Sequence, residues 1–389
     1  MKPWLIVALF VLLAPHPAPA QVQARLITRS AGSATRPPDL PPTTEFRLER
    51  VLSLGGDNAG ANAAFADIAG IAVTPQGHLY VLDAQDRSVR VFDAAGRFVR
   101  RFGRQGGGPG ELQVPVAIWA DTEVGIADGA QRRTSYFSME GRHLRTVPMP
   151  LADETPVLRA RPLRHGRAVG QTPARMGVTG GGAALDGSAY VAVVVLGRGA
   201  RPDTLLRIHS GVTSFHPRDA PVPFGTTSSH LGWGGAHAVL GDSLVATADG
   251  YTGAVRWYRA GPSGLTLLRT RTLPSRSREV TNDDRRQVER LIRAQNPDLP
   301  RRLDIDLPPR VSIATQALFS AEGFLWIRNT GAPGQSHVWT VFDPAGEIAY
   351  RLSLPEGFDL RHVRGDLLYG TAATRNDAPL VRVYRLRRA

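Results

Sequence analysis

The sequence contains no cysteine, has its single lysine at position 2, and carries no long hydrophobic run beyond its first residues. Without cysteine the chain has no disulfide framework, no thiolate metal ligand and no cysteine nucleophile. Without a lysine after Lys2 it has no phosphate-binding P-loop. A hydrophobic fraction of 42% with 21% charged residues is ordinary for a folded chain and too apolar for a disordered one.

The first twenty residues have the pattern of a secretory signal peptide. Lys2 precedes an apolar run over 4–14, and Ala18-Pro19-Ala20 supplies small residues before Gln21. The run is shorter than the roughly 18 apolar residues that a membrane span needs, and no cysteine follows it for lipid attachment. We therefore predict a signal peptide at 1–20 and an exported protein, periplasmic or secreted, over the alternative of an uncleaved anchor.

Residues 21–45 are rich in proline, serine, threonine and alanine without hydrophobic periodicity, which predicts a flexible leader. We expect the folded domain to occupy 46–389. Removal of the signal peptide changes the formal charge from +13 to +12, because the mature chain would carry 46 arginines against 34 acidic residues.

A unit of four short extended segments recurs along the chain. Its clearest copy, 68–112, reads IAGIAV, HLYVLD, SVRVFD and RFVRRF with turn residues between the segments. Further copies begin at Pro115, in a looser form at 155, at Gly241, at Gly323 and at Leu360. The last copy stops after three strands, and 46–54 has no other partner, so we interpret 46–54 as its missing fourth strand. A ring closed in this way has no exposed blade edges.

These repeats predict an all-β fold, a six-bladed β-propeller of four-stranded antiparallel blades closed by an N-terminal strand. One segment, 277–310, breaks the pattern between blades four and five. It predicts a short helix with a capping-box start and a narrow apolar stripe: Thr281 with Asp284, and Val288, Leu291 and Ile292. Such a helical insertion either caps the channel mouth, supplies a binding surface, or packs as decoration on the rim.

The segment GHLYVLDAQDRSVRVFDAAGRFVRRFG followed by GGGPGELQVP resembles the NHL repeat and its relatives among exported bacterial six-bladed propellers. The resemblance is close over 67–120, fair over 121–147 and 311–388, and weak over 150–235. It implies a ring that most relatives use to bind a partner. A minority of similar propellers are metal-dependent hydrolases or lyases.

Common catalytic signatures are absent from the sequence, among them His-Glu-x-x-His, Gly-x-Ser-x-Gly and the EF-hand loop. The glycine-rich stretch 106–110 neither ends in Gly-Lys-Ser/Thr nor opens a helix. We therefore interpret it as an inter-blade turn and not as a phosphate cradle.

Two histidines, His237 and His362, fall on predicted innermost strands, which line the channel of a propeller. Their spacing to the following Gly-Asp pairs differs by one residue, which would place the two side chains on opposite strand faces. His165 is a candidate third ligand, although its sequence also fits a hairpin turn. A catalytic metal site needs three convergent protein ligands, so this arrangement favours a metal centre only weakly.

Four repeats place a polar side chain at the end of the second strand: Asp83, Asp128, Asp249 and Asn329. Such a group either bonds to backbone N–H groups of the turn or, if these ends ring a channel mouth, binds Ca²⁺. The candidate ligands for Ca²⁺ or Zn²⁺ are therefore His237, His362, Asp83, Asp128 and Asp249.

The leading hypothesis is an exported, monomeric scaffold that binds a protein, peptide or glycan through one face of the ring, with no cofactor and no catalysis. Its candidate ligand-binding residues are Arg87, Arg104, Arg132, Trp233, Asn329 and His337. The arginine pairs are scattered and make no single stripe, which argues against nucleic acid and favours an anionic glycan or envelope surface. The alternatives are a metal-dependent hydrolase or lyase at the channel mouth and a structural part of the envelope.

Overall fold

The computed structural model of the protein describes residues 23–24, 46–152, 155–171, 190–196, 203–209, 212–217, 225–228, 234–330 and 338–388. No helix in these ranges is long and apolar enough to cross a membrane. Two strands at the start of the chain, β1 (Gln23–Ala24) and β2 (Phe46–Gly55), join the C-terminal part of the fold.

Blades one to three follow in chain order as antiparallel meanders. Blade one consists of β3 (Ile68–Val73), β4 (Leu79–Asp83), β5 (Ser88–Phe92) and β6 (Phe98–Phe102). Blade two consists of β7 (Pro115–Ala120), β8 (Val124–Asp128), β9 (Arg133–Phe137) and β10 (His143–Pro148). A short hairpin, β11 (Leu151–Ala152) and β12 (Thr155–Pro156), leads into blade three, which consists of β13 (Leu158–Leu163), β14 (Arg167–Gln171), β15 (Tyr190–Leu196) and β16 (Asp203–His209).

The second half of the ring contains two excursions from the blade pattern. Strands β17 (Val212–Pro217) and β18 (Gly225–Ser228) precede blade four, which consists of β19 (Gly235–Leu240), β20 (Leu244–Asp249), β21 (Ala254–Gly261) and β22 (Gly264–Thr272). Strand β23 (Arg278–Glu279), helix α1 (Asn282–Gln295), β24 (Leu303–Asp306) and β25 (Arg310–Val311) precede blade five. Blade five consists of β26 (Gln316–Phe319), β27 (Leu325–Asn329), β28 (Val338–Phe342) and β29 (Ile348–Ser353), and blade six begins with β30 (Asp359–Arg364), β31 (Leu367–Ala373) and β32 (Pro379–Arg388).

The N-terminal strand closes the ring, as the sequence predicted. Strand β2 pairs antiparallel with β32 from Phe46 opposite Arg388 to Gly55 opposite Leu380. The pairing shifts by one residue between Arg50 and Leu52, so Val51 forms a bulge. The fold is therefore an all-β propeller with four-stranded antiparallel blades and one inserted helix, as predicted.

The hydrophobic core lies between neighbouring blades. Strands β4 and β8 are buried along their whole length, whereas the outer strand β6 is largely exposed. Leu82 and Val89 of blade one pack in one cluster with Ile126 and Phe137 of blade two. Each blade thus needs both neighbours to cover its two faces, which explains why its middle strands read as continuous hydrophobic runs.

The two excursions beside blade four combine into one accessory layer, which we define as β17, β18, β23, β24, β25 and α1. Strand β24 pairs with β17 across nearly ninety residues of chain. Phe215, Val288, Ile292, Ile305 and Val311 form the core of this layer. The layer therefore has its own apolar interior and is more than an extended loop.

Helix α1 has the predicted capping box. The Thr281 hydroxyl accepts from the backbone N–H of Asp284, and the Asp284 carboxylate accepts from the Thr281 N–H. Val288 and Ile292 are buried, but the prediction that Leu291 shares their stripe is wrong, because its side chain is 42% exposed. A rotation of about 100° per residue puts Leu291 on the far side of Val288 from Ile292, beyond the edge of the layer's core.

The accessory layer lies on one face of the ring. In each meander the turn after the second strand and the connection to the next blade lie at the same edge, and both excursions are such connections. We call this side the accessory face and the other side the opposite face.

Closure by β2 predicts that the ring fails without it. A chain starting at residue 56 should melt about 10 °C or more below a chain starting at residue 46 and should self-associate, because the edge of β32 becomes exposed. Thermal unfolding and size-exclusion chromatography of the two chains provide the measurement. Equal melting temperatures and two monomers would contradict this role of β2.

Candidate functional site

The strand-end carboxylate of blade one acts as a clasp. Oδ2 of Asp83 accepts from the backbone N–H of Ala66 at 2.8 Å, and Oδ1 accepts from those of Asp67 and Asp86 at 3.1 Å. Arg90 adds an ion pair of 3.2 Å to the same buried carboxylate. Asp83 thus ties the segment that enters β3 to the turn that leaves β4.

Blade two repeats this geometry. Asp128 is fully buried and accepts from the backbone N–H groups of Gln113 at 2.6 Å, Val114 at 3.2 Å and Gln131 at 3.1 Å. In each of these two blades the carboxylate oxygens face backbone donors that would otherwise be left unsatisfied.

The clasp is modified in blades four and five. Asp249 is only half-buried, and its Oδ1 accepts from the N–H groups of Tyr251 and Thr252. Asn329 is buried, donates from Nδ2 to the carbonyl of Ile313 and accepts the hydroxyl of Thr340 at 2.7 Å. All four strand-end residues therefore make local bonds that hold a blade together.

Two of the candidate ligand-binding arginines occupy a strained turn position. Arg87 and Arg132 each lie four residues after the clasp and have φ values of 53° and 48°. Gly253 has φ 74° at the equivalent place in blade four, where the absence of a side chain removes the steric cost. The Arg87 guanidinium also donates to the carbonyl oxygens of Gln85 and Gln113.

The glycine-rich stretch connects blades one and two, as predicted. Arg104 forms an ion pair of 2.7 Å with Glu111, whose carboxylate also accepts from the N–H of Gly108. Arg133 donates to the carbonyl oxygens of Gly107, Gly108 and Glu111. These contacts fasten the loop to the ring, and Arg104 is part of that fastening.

The two channel histidines lie on innermost strands, His237 on β19 of blade four and His362 on β30 of blade six. Nδ1 of His237 lies 3.3 Å from Nε2 of Gln171. His165 lies in the turn between β13 and β14 with φ 61°. Within the described ranges no three side chains of His, Asp or Glu are grouped so that they could hold a metal ion. Trp233 and His337 lie outside the described residues.

A polar cluster lies at the accessory-face mouth of the channel, and we call Asp67, Gln316, Arg328, Asp359 and Arg361 the mouth cluster. Nη2 of Arg361 lies 2.7 Å from Oδ2 of Asp359, and Nη1 of Arg328 lies 3.5 Å from Oδ1 of the same carboxylate. Gln316 donates from Nε2 to the carbonyl of Leu360 at 2.7 Å. Two guanidinium groups thus share one carboxylate.

Some hydrogen-bonding capacity of the mouth cluster is unused. Nε of Arg361 and Oε1 of Gln316 are buried and have no hydrogen-bond partner in the described part of the chain. Burial lowers the pKa of Arg328, Asp359 opposes this effect, and Arg361 adds to it. Burial and Asp83 raise the pKa of Asp67, which Arg361 partly offsets.

The opposite face uses its polar groups to join blades. Arg161 pairs with Asp121 at 3.1 Å, and Arg164 pairs with Asp242 at 2.7 Å. The carboxylate of Glu322 in blade five accepts the N–H of Gly365 in blade six. Around these groups His362 is held neutral, because burial and Arg364 lower its pKa to about 4 against the raising effect of Glu322.

The sequence analysis named Asn329 and His362 as candidates, whereas the mouth cluster contains the residues just before them, Arg328 and Arg361. A shift of one residue along a strand moves a side chain to the other face, so the pattern located the strands but not the face. A comparison between repeats could have identified Arg328, because the equivalent residue is Leu82 in blade one and Ala127 in blade two.

Comparison with known proteins agrees with this architecture. Residues 62–157 match the DUF5128 family model, described as a 6-bladed beta-propeller. A solved structure of a DUF4221 family member from Bacteroides vulgatus has a TM-score of 0.52 with 11% identity, covering 89% of this chain and 99% of its own. The fold is that of a β-propeller. A protein from Bacteroides fragilis described as exported has a TM-score of 0.49 with 13% identity, covering 88% of this chain and 95% of its own. No curated protein matches the sequence.

The clasps predict a graded loss of stability. Asp128→Ala should lower the free energy of unfolding by about 3 kcal/mol, because three backbone N–H groups lose their fully buried acceptor. Asp128→Asn keeps one acceptor oxygen and should cost less, and the half-buried Asp249→Ala about 1 kcal/mol. Urea unfolding of the three variants gives the comparison, and equal losses would argue against the clasp.

The half-buried His362 predicts that part of the folding stability is lost in acid. Its folded-state pKa lies below the unfolded value, so its contribution is fully present above about pH 6.5 and is lost as the pH falls toward 4. His362→Gln should remove about 2 kcal/mol of the difference between the stabilities at pH 7 and pH 4. Urea unfolding at several pH values between 4 and 7 measures this difference, and His143→Gln serves as the control. If the stability of His362→Gln depended on pH in the same way as that of the wild type, the role of His362 would be refuted.

Proposed function

We propose that the protein is an exported, non-catalytic binding scaffold that takes a protein, peptide or anionic glycan on the accessory face of its propeller. The observation that carries the proposal is the mouth cluster. The side chains of Arg361 and Asp359 are 33% and 36% exposed, and that of Arg328 beside them is 24% exposed. Two partly exposed guanidinium groups offer an anionic ligand charge-assisted hydrogen bonds.

The accessory layer supports the accessory face as the binding side. Ion pairs join blades on both faces, through Arg161 with Asp121 and Arg164 with Asp242 on the opposite face and through Arg328 with Asp359 on the accessory face. On the accessory face the two guanidinium groups of the mouth share Asp359, and the accessory layer rises from the same side. A ligand on this face would contact both the mouth cluster and the accessory layer.

A metal-dependent hydrolase or lyase would need three converging ligands. The carboxylates of Asp83 and Asp128 already accept several backbone N–H groups each. His237 and His362 lie on innermost strands of blades four and six, with blade five between them. These placements favour binding over metal chemistry at the mouth.

The lack of cysteine allows the binding face to be mapped by single labels. Val114→Cys and Thr122→Cys place one thiol at each end of β7, the first near the accessory-face mouth and the second on the opposite face; both residues are exposed. Each variant is labelled with a maleimide polymer and titrated by calorimetry with three probes: oligogalacturonate, oligoglutamate and a neutral xylo-oligosaccharide.

We expect the label at position 114 to weaken binding of at least one probe by about tenfold or more, and the label at position 122 to change it less than about twofold. Binding blocked only from position 122 would reverse the assignment of the face. If the purified protein contained stoichiometric metal that was lost in both His237→Ala and His362→Ala, the result would favour the metal-dependent enzyme over the binding scaffold.

A further inference from the structure

The mouth cluster departs from the repeat at two positions. The first strands of blades one, two and six each contain a bulge, with Ala69, Val116 and Arg361 as the extra residue. The bulges of blades one and two directly follow the residue opposite the strand-end clasp, whereas the bulge of blade six lies one residue further along its strand. A bulge re-aims its side chain, and in blade six that side chain is a guanidinium.

The second departure lies in blade five. The residue before the strand-end clasp is Leu82 in blade one, Ala127 in blade two and Ala248 in blade four, and all three are buried. Blade five places Arg328 there, and its Nε donates to Oγ1 of Thr315 at 3.1 Å. Closing the ring does not require this cation, since three other blades close with an apolar side chain.

The two arginines share Asp359, and the Asp67 carboxylate also interacts with Arg361. The contact of Arg361 with Asp359 is short at 2.7 Å, whereas that of Arg328 is long at 3.5 Å. The side chains of Arg361 and Asp359 are 33% and 36% exposed, so a ligand can reach them. An incoming anion would gain attraction from both guanidinium groups and would compete with Asp359.

We infer that the mouth cluster is a uronate site, in which Arg361 and Arg328 bind the carboxylate of an acidic glycan. This inference rests on the proposed function and names the ligand class of the same site. The planar fork of arginine matches a carboxylate, and the exposed carboxylate of Asp67 can accept a hydroxyl group of the same sugar ring.

The test is calorimetric titration of the full mature chain with oligogalacturonate and with its methyl ester, which keeps the sugar but removes the charge. Arg361→Gln and Arg328→Gln should each weaken oligogalacturonate binding by about tenfold or more. Asp359→Asn should tighten it several-fold, because the competing carboxylate is gone. Arg361→Lys keeps the charge without the fork and should lie between wild type and Arg361→Gln.

The control is Arg97→Gln, which removes an arginine from an exposed hairpin of the opposite face, where it pairs with Asp93. It should leave binding unchanged. Thermal unfolding of each variant confirms that it is folded, and a variant that melts early is replaced by its conservative partner, Arg361→Lys or Arg328→Lys.

Several outcomes would overturn the inference. They are equal binding of the ester, loss of binding equal in Arg97→Gln, tighter binding of oligoglutamate than of oligogalacturonate, and no oligogalacturonate binding by either wild type or Asp359→Asn. If the label at position 114 still blocks another probe, the scaffold function stands while the uronate assignment fails. If no label at position 114 affects any probe, the scaffold function itself fails.

Discussion

The pairing of β2 with β32 is the interaction on which the rest of the structure depends. A blade with buried middle strands cannot stand alone, because both of its faces are apolar and each needs a neighbour. The pairing runs over the length of β2 and joins the two ends of the folded region into blade six. With no cysteine in the chain, backbone hydrogen bonds and the packing of Leu54 and Val381 supply the closure that a disulfide could otherwise provide.

Ring closure also sets what the polar residues have to do. The clasps at Asp83 and Asp128 each bind the segment that enters the blade and the turn after its second strand at once. On the opposite face, ion pairs such as Arg164 with Asp242 join blades directly. At the mouth cluster the contacts of Arg328 with Asp359 and of Gln316 with the Leu360 carbonyl likewise join blades five and six.

Much of the fold could be predicted because it is periodic. Turn residues recur at a regular spacing, the strand 46–54 had no partner in the sequence, and the capping box of α1 is a local pattern. The pairing of β24 with β17 had no such signal, since it joins two segments that lie far apart and belong to different connections. The placement of Leu291 was wrong for a related reason, because the width of a helix's buried face depends on the layer it packs against.

The site was harder to predict than the fold because its residues break the repeat instead of following it. Repetition drew attention to Asp83, Asp128, Asp249 and Asn329, which recur because they make local bonds that hold their blades together. Arg328 occupies a place where blades one, two and four hold apolar residues, and Arg361 is the extra residue of a bulge that lies at a different place from those of blades one and two.

Placing a guanidinium where an alanine or leucine suffices costs desolvation, and burial accordingly lowers the pKa of Arg328. Asp359 offsets that cost only in part, through a contact of 3.5 Å. A fold selected for stability alone would gain by an apolar residue at this position, as its neighbouring blades show. The proposed anionic ligand would supply the compensation that Asp359 gives Arg328 only in part.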